Sequence, residues 1–97
     1  DLTDEQIALL ARVTRKRLCK QNETEVILLH LRFVCGLSLE EIAPYMQVRN
    51  ANGTIEAFRF RCTQYLRLDR PISDTSIKKC LLPIIQQLLH DALILLP

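Results

Sequence analysis

The sequence predicts an all-α domain, and three observations carry that expectation. Hydrophobic residues fill 48% of the 97 positions and charged residues 25%, enough apolar material for one core without disulfide staples. Glycine occurs twice, aromatic residues are 5% and Trp is absent, whereas Leu, Ile, Ala, Arg, Glu and Gln abound. That composition favours helices over a turn-rich sheet. Apolar residues also recur at helical spacing along most of the chain.

Each element has its own start and stop signals. Thr3 with Gln6 three residues later forms a capping-box pattern, and Ile7, Leu10, Ala11, Thr14 and Leu18 follow at helical spacing, so a first helix is expected from about Asp4 to Lys20. Asn22 with Glu25 opens the next. Its buried side is read as Val26, Leu29, His30, Phe33 and Val34, and Gly36 stands where a left-handed C-terminal cap would end it. Ser38 with Glu41 repeats the capping box and starts a short third helix carrying Leu39, Ile42, Ala43 and Met46. The stretch from Val48 to Gly53 reads as a turn by composition. A fourth helix is expected from Thr54 to about Leu68, with Ile55, Phe58, Cys62, Tyr65 and Leu66 as its apolar stripe and Pro71 as its stop. The last helix begins near Ser76, with Pro83 starting or kinking it. Residue 1 is Asp rather than Met, so a fragment or a processed piece is expected.

Charge distribution is more informative than the net value of +2. Between Arg49 and Arg70 five arginines face only Glu56 and Asp69, and a second basic run, Arg12, Arg15, Lys16, Arg17 and Lys20, closes the first helix. Solvated helix faces that answer the helix dipole account for such runs as well as a polyanion does. Cys19, Cys35, Cys62 and Cys80 are irregularly spaced, without a CxxC and without His30 or His90 at ligand spacing; all four are expected as small core hydrophobes in a reducing cytoplasm, with no metal site. His30 reads as a core or boundary histidine, and His90 and Asp91 point to different helix faces. No nucleophile motif or glycine-rich phosphate loop occurs, so neither catalysis nor a cofactor is expected.

The run from Glu25 to Arg67 places a short capped helix and then a longer basic helix after a buried one. That is the arrangement of a helix-turn-helix, in which the short helix braces on the DNA backbone and the next lies in the major groove. The string Gly36-Leu37-Ser38-Leu39-Glu40-Glu41-Ile42-Ala43, then Val48, Gly53-Thr54-Ile55, Arg61-Cys62 and Leu66-Arg67, resembles region 4 of the bacterial sigma-70 family of RNA polymerase initiation factors. LuxR-type regulators share the same helix arrangement. The resemblance covers about Asn22 to Leu68. It implies that Leu39, Ile42, Ala43, Val48, Ile55, Phe58, Cys62 and Leu66 form the core fixing the two helices. It implies a phosphate contact at Ser38 and the backbone around Leu39, and places Thr54, Glu56, Ala57 and Phe60 toward the groove, with Arg59, Arg61 and Arg67 on phosphates or flanks. Glu56 would accept from cytosine N4 and Ala57 would touch a thymine methyl. Between Val48 and Ile55 this chain has two more residues than the usual pattern, and Gln47 stands where glycine is common, so a lengthened turn is expected. Arg49, Asn50 and Asn52 in it would either contact phosphates or tilt the recognition helix. Pro44 restricts the backbone of the short helix.

The whole is therefore read as one domain over 1–97, an all-α helix-turn-helix core at 22–68 with an added N-terminal helix and a C-terminal extension at 71–97. The resemblance implies a cytoplasmic, nucleoid-associated bacterial protein that binds duplex DNA, with RNA polymerase as a further partner. The competing expectation is a helix-turn-helix kept as a protein interaction or dimerisation module. Its support is the surplus of aliphatics in the extension, where Leu81, Ile85, Leu88, Leu89, Leu93 and Leu96 either pack on the first helix or pair copies into a homodimer.

Overall fold

The computed structural model of the protein describes residues 2–20 and 23–94, with side chains through His90. Helix α1, Asp4–Leu18, starts where the capping box predicts: Gln6 N–H donates to Thr3 Oγ1 at 3.1 Å and Thr3 N–H to Gln6 Oε1 at 2.9 Å. Leu10, Thr14 and Leu18 face the core, one helical turn apart. Helix α2, Glu23–Leu29, buries Val26, Leu28 and Leu29; Asn22, its expected opening residue, lies outside the described residues.

The chain then widens into a π-helical segment, His30–Val34, where sequence periodicity predicts ordinary helix. Cys35 N–H donates to His30 O at 3.0 Å, closing a π turn, and Gly36 takes φ +74° as the left-handed cap expected of it. Leu37 N–H reaches Leu31 O at 3.0 Å, one residue further back than an α-helical Schellman closure, because the π turn has taken up an additional residue.

Helix α3 is a single turn, Leu39–Ile42. The Ser38–Glu41 capping box forms and Ala43 N–H closes on Leu39 O at 3.1 Å, but Pro44 has no N–H to give to Glu40 O, so the regular helix ends there and a bond from Met46 N–H to Ile42 O, at 3.2 Å, follows. Helix α4, Ala51–Tyr65, begins three residues earlier than Thr54. The expected longer turn is thus corrected: its final residues are the first turn of α4. Asn50 caps that turn from the left-handed region, φ 57° and ψ 49°, which Asn tolerates better than most residues, and its Oδ1 accepts from Gly53 N–H at 3.2 Å. A Cβ at position 53 would collide with the Asn50 amide. Glycine is there to let the cap close, within a helix and not within a loop.

Helix α4 ends before Pro71. Arg67 adopts φ 53° and a Schellman closure joins Leu68 N–H to Thr63 O and Arg67 N–H to Gln64 O, both at 3.0 Å. Helix α5, Asp74–Ile94, opens on Ser73, whose Oγ accepts from Ser76 N–H at 3.2 Å, and it runs through an exposed Pro83.

The core lies where α5 packs on α1, on the π segment and on α2, while α4 closes against α2. Leu28, Leu29, Ile77, Leu81 and Ile85 lie at its centre, and the Phe33 and Phe58 rings meet at 6.2 Å, tilted by 43°. Of the partner surface expected on the extension, Leu81 and Ile85 are corrected: at 0% and 1% exposure they are occupied by the chain's own core. Leu88 and Leu89 are partly buried against that core, and Leu93 and Leu96 lie outside the residues with described side chains. Among the described residues no helix is long and apolar enough to cross a membrane.

Candidate nucleic-acid interface

Helix α4 divides cleanly into an inner and an outer face. Ile55, Phe58 and Cys62 point into the core, and at 100° per residue the opposite face presents Ala57, Phe60 and Gln64, flanked by Glu56 and Asn52. All five are exposed, Phe60 by 60%. The groove-facing set expected from the sequence is thus accessible at Glu56, Ala57 and Phe60, with Thr54 half-buried on one flank, and Asn52, expected in the turn, joins this face from the first turn of α4. Gln64, one turn beyond Phe60 on the same row, belongs to this face and was missed; its signal was the i, i+4 spacing.

The arginines of α4 are less free than their charge suggests. Arg59 is corrected as a phosphate ligand: its guanidinium donates to Ile72 O at 2.6 Å, pairs with Asp74 and with Glu56, and lies 5.5 Å from the Phe33 ring centre. Thr63 completes this tie, donating to Arg59 O at 2.8 Å and accepting Ile72 N–H at 3.0 Å. Arg59 therefore fastens the α4–α5 connection instead of facing solvent. Arg61 is half-committed, with its guanidinium 3.6 Å from the Glu25 carboxylate. Arg49 and Arg67 are exposed and enter none of the ion pairs among the described residues.

The short helix contributes differently from expectation as well. The Ser38 N–H and hydroxyl, read as a phosphate contact, are both engaged by Glu41: its N–H donates to Ser38 Oγ at 3.2 Å and its carboxylate accepts Ser38 N–H at 3.0 Å. The Ser38 N–H, and secondarily its hydroxyl, hold the Glu41 carboxyl below its ordinary range. With Glu40 beside it, this end of α3 carries negative charge, and Ser38 and the backbone at Leu39 are corrected as anion ligands. Of the core set implied by the resemblance, Ile42, Ile55, Phe58 and Cys62 are buried and Val48 and Leu66 partly so, whereas Leu39 and Ala43 are exposed because α3 ends after one turn. Tyr65, placed on the apolar stripe, is also exposed.

Beside the first half of α4 lies a hollow of about 290 Å³, lined by Asn50, Gly53, Thr54, Ala57 and Arg61 with Glu25 from α2 and Arg17 from α1. Arg17 was not singled out as a site residue from the sequence, because nothing local brings residue 17 beside residue 54. The thiols split in two. Cys62 and Cys80 are buried, and desolvation pushes them up to about 12 and about 11. Cys19 and Cys35 are exposed, which corrects the core role expected of them, and Cys35 Sγ lies 3.4 Å from His30 Nε2 across the π turn.

No family model, curated protein or solved structure matches the chain.

Proposed function

We propose that this domain binds duplex DNA through α4, with a protein interaction role as the reading it must displace. The observation that carries this is the two-faced α4. Its inner residues are locked into the core and the tie through Arg59, while Asn52, Glu56, Ala57, Phe60 and Gln64 form one exposed row on a helix held rigidly behind a capped short helix. An amide at Gln64 and at Asn52 suits adenine, a carboxylate at Glu56 suits cytosine N4, and Ala57 and Phe60 suit thymine methyls. Base contacts of this kind specify but do not hold, so affinity has to come from cations near the row.

Selection from a random duplex pool tests this reading. An enriched motif is expected, and Glu56→Gln is expected to change the preferred base at one position, shifting discrimination there by about 1–3 kcal/mol while nonspecific affinity rises slightly. No enrichment over the input pool, with retention of the chain on a protein partner, would support the interaction module. The same exposed row, with Phe60 in it, and the exposed Tyr65 beside it would then be its surface.

A further inference from the structure

The C-terminal half of α1 carries five cations, Arg12, Arg15, Lys16, Arg17 and Lys20, and no acidic residue occurs between Gln6 and Asn22. All five are exposed and none enters an ion pair among the described residues. Complementing the helix dipole accounts for Arg15, Lys16 and Arg17 in the last turn, but not for Arg12 a turn earlier or Lys20 beyond the helix. Their geometry is ordered. Val13 and Arg17 turn toward α4, since Val13 lines the apolar hollow between the two helices and Arg17 lines both that hollow and the polar one beside Thr54. One step outward from them, Arg12 and Lys16 stand one helical turn apart, about 6 Å along the axis, and Lys20, in the turn that follows the helix end at Leu18, joins them in lining one patch.

We infer that this patch, continued inward by Arg17, is a second phosphate-binding surface that takes the backbone of the duplex whose bases α4 reads. The inference rests on the proposed DNA-binding role of α4. The chemistry favours a polyanion with charges at short, regular intervals over an acidic protein surface. The Lys and Arg side chains line one patch with no apolar side chain interleaved to anchor a folded partner; of the residues lining it only Cys19 is uncharged. The surface also supplies what α4 lacks. Arg59 is tied to Ile72 and Asp74, and Arg61 shares its charge with Glu25, so the cation without an ion pair that lines the hollow beside Thr54 is Arg17 of α1.

The test compares two double variants of equal charge, Lys16→Gln with Lys20→Gln on α1 and Lys78→Gln with Lys79→Gln on α5. The α5 lysines are exposed and sit toward the opposite end of α1, where Cys80 Sγ donates to Ile7 O at 3.6 Å. Binding of a duplex of mixed sequence is followed by fluorescence anisotropy over a range of salt. The α1 variant is expected to lose about 1.8 from the log-affinity against log-salt slope, so that the advantage of the unmodified chain shrinks about tenfold from about 50 to 200 mM salt, equally for every sequence. The α5 variant is expected to keep the slope. Equal slope losses in both variants, or none in the α1 variant while the duplex is still bound, would overturn the α1 surface and leave the α4 reading standing. An unmodified chain that binds no duplex even at low salt would overturn both.

Discussion

The two basic regions of this protein hold similar numbers of cations and use them in opposite ways. Within α4 the charge is spent inside the fold: Arg59 joins α4 to the start of α5, Arg61 leans on Glu25, and Arg32 of the π segment meets the same Asp74 at 3.6 Å, which leaves only the flanking Arg49, Arg67 and Arg70 exposed and outside the ion pairs among the described residues. On α1 the five cations face water. Counting arginines would rank the helix-turn-helix as the polyanion site and α1 as an ordinary solvated face. Counting partners reverses the ranking, because a guanidinium already bonded to a carbonyl and a carboxylate must give those up before it meets a phosphate.

The largest expected effect is on stability. Arg59→Ala removes a side chain that is only 16% exposed and leaves Ile72 O without its donor, while half-exposed Asp74 keeps Arg32, at a cost of about 2–3 kcal/mol, whereas Lys16→Gln is expected to stay within about 0.5. For a domain this size each 1 kcal/mol moves the Tm by about 4–8 °C, so a thermal melt separates the two by roughly 10 °C or more. Similar melts for both would dissolve the contrast between tied and free charge.

The thiols offer a second version of the same contrast. Two of the four, Cys19 and Cys35, are expected to react promptly with a thiol reagent in the native state, and Cys62 and Cys80 only on unfolding. Burial raises the folded values of Cys62 and Cys80 above the ordinary 9.0. Their contribution to stability is present in full below pH 9 and is lost as pH climbs toward 11–12, because the unfolded chain releases those protons first. A folded protein whose urea midpoint is the same at pH 8 and pH 10.5 would contradict this.

The smallest effect belongs to α3. The Glu41 carboxyl is held below 4.5 by the Ser38 N–H and hydroxyl, so the cap's contribution is complete above that value and fades as pH falls through the lowered one. Reduced protection of the Ser38 amide against exchange as pH falls, relative to the intrinsic rate at each pH, with the protection of the α4 core amides unchanged, is the expected signature.

What could be read from the sequence follows the range of the interactions. The capping boxes at Thr3–Gln6 and Ser38–Glu41, the left-handed Gly36 and the buried Ile55, Phe58 and Cys62 of α4 are decided within four residues and formed as read, whereas Tyr65 at the end of that stripe is exposed. The start of α4 was misplaced because Asn-Ala-Asn-Gly is turn-like in composition, while the Asn50 side chain turns it into a cap followed by a helix. Arg59 was misassigned for a different reason. Its partners Ile72 and Asp74 lie thirteen and fifteen residues away, and only the reversal at Arg67 brings them within reach. The inward turn of Leu81 and Ile85 likewise depends on α5 folding back across α1 and α2.

The π segment sets the phase between the two halves of the molecule. An α-helix continued from Leu29 would close each turn a residue sooner, and residues 30 and 35 would then fall on different sides of the helix instead of facing each other, as His30 and Cys35 do. Everything downstream inherits that offset. Gly36, the single turn of α3 and the bearing of α4 are all indexed from a widened turn, as a gear is indexed from the tooth it meshes with. The spacing between α2 and α3 is consequently a fixed dimension of this fold. A chain one residue shorter there could keep every capping box and every apolar stripe and still aim the exposed row of α4 in another direction.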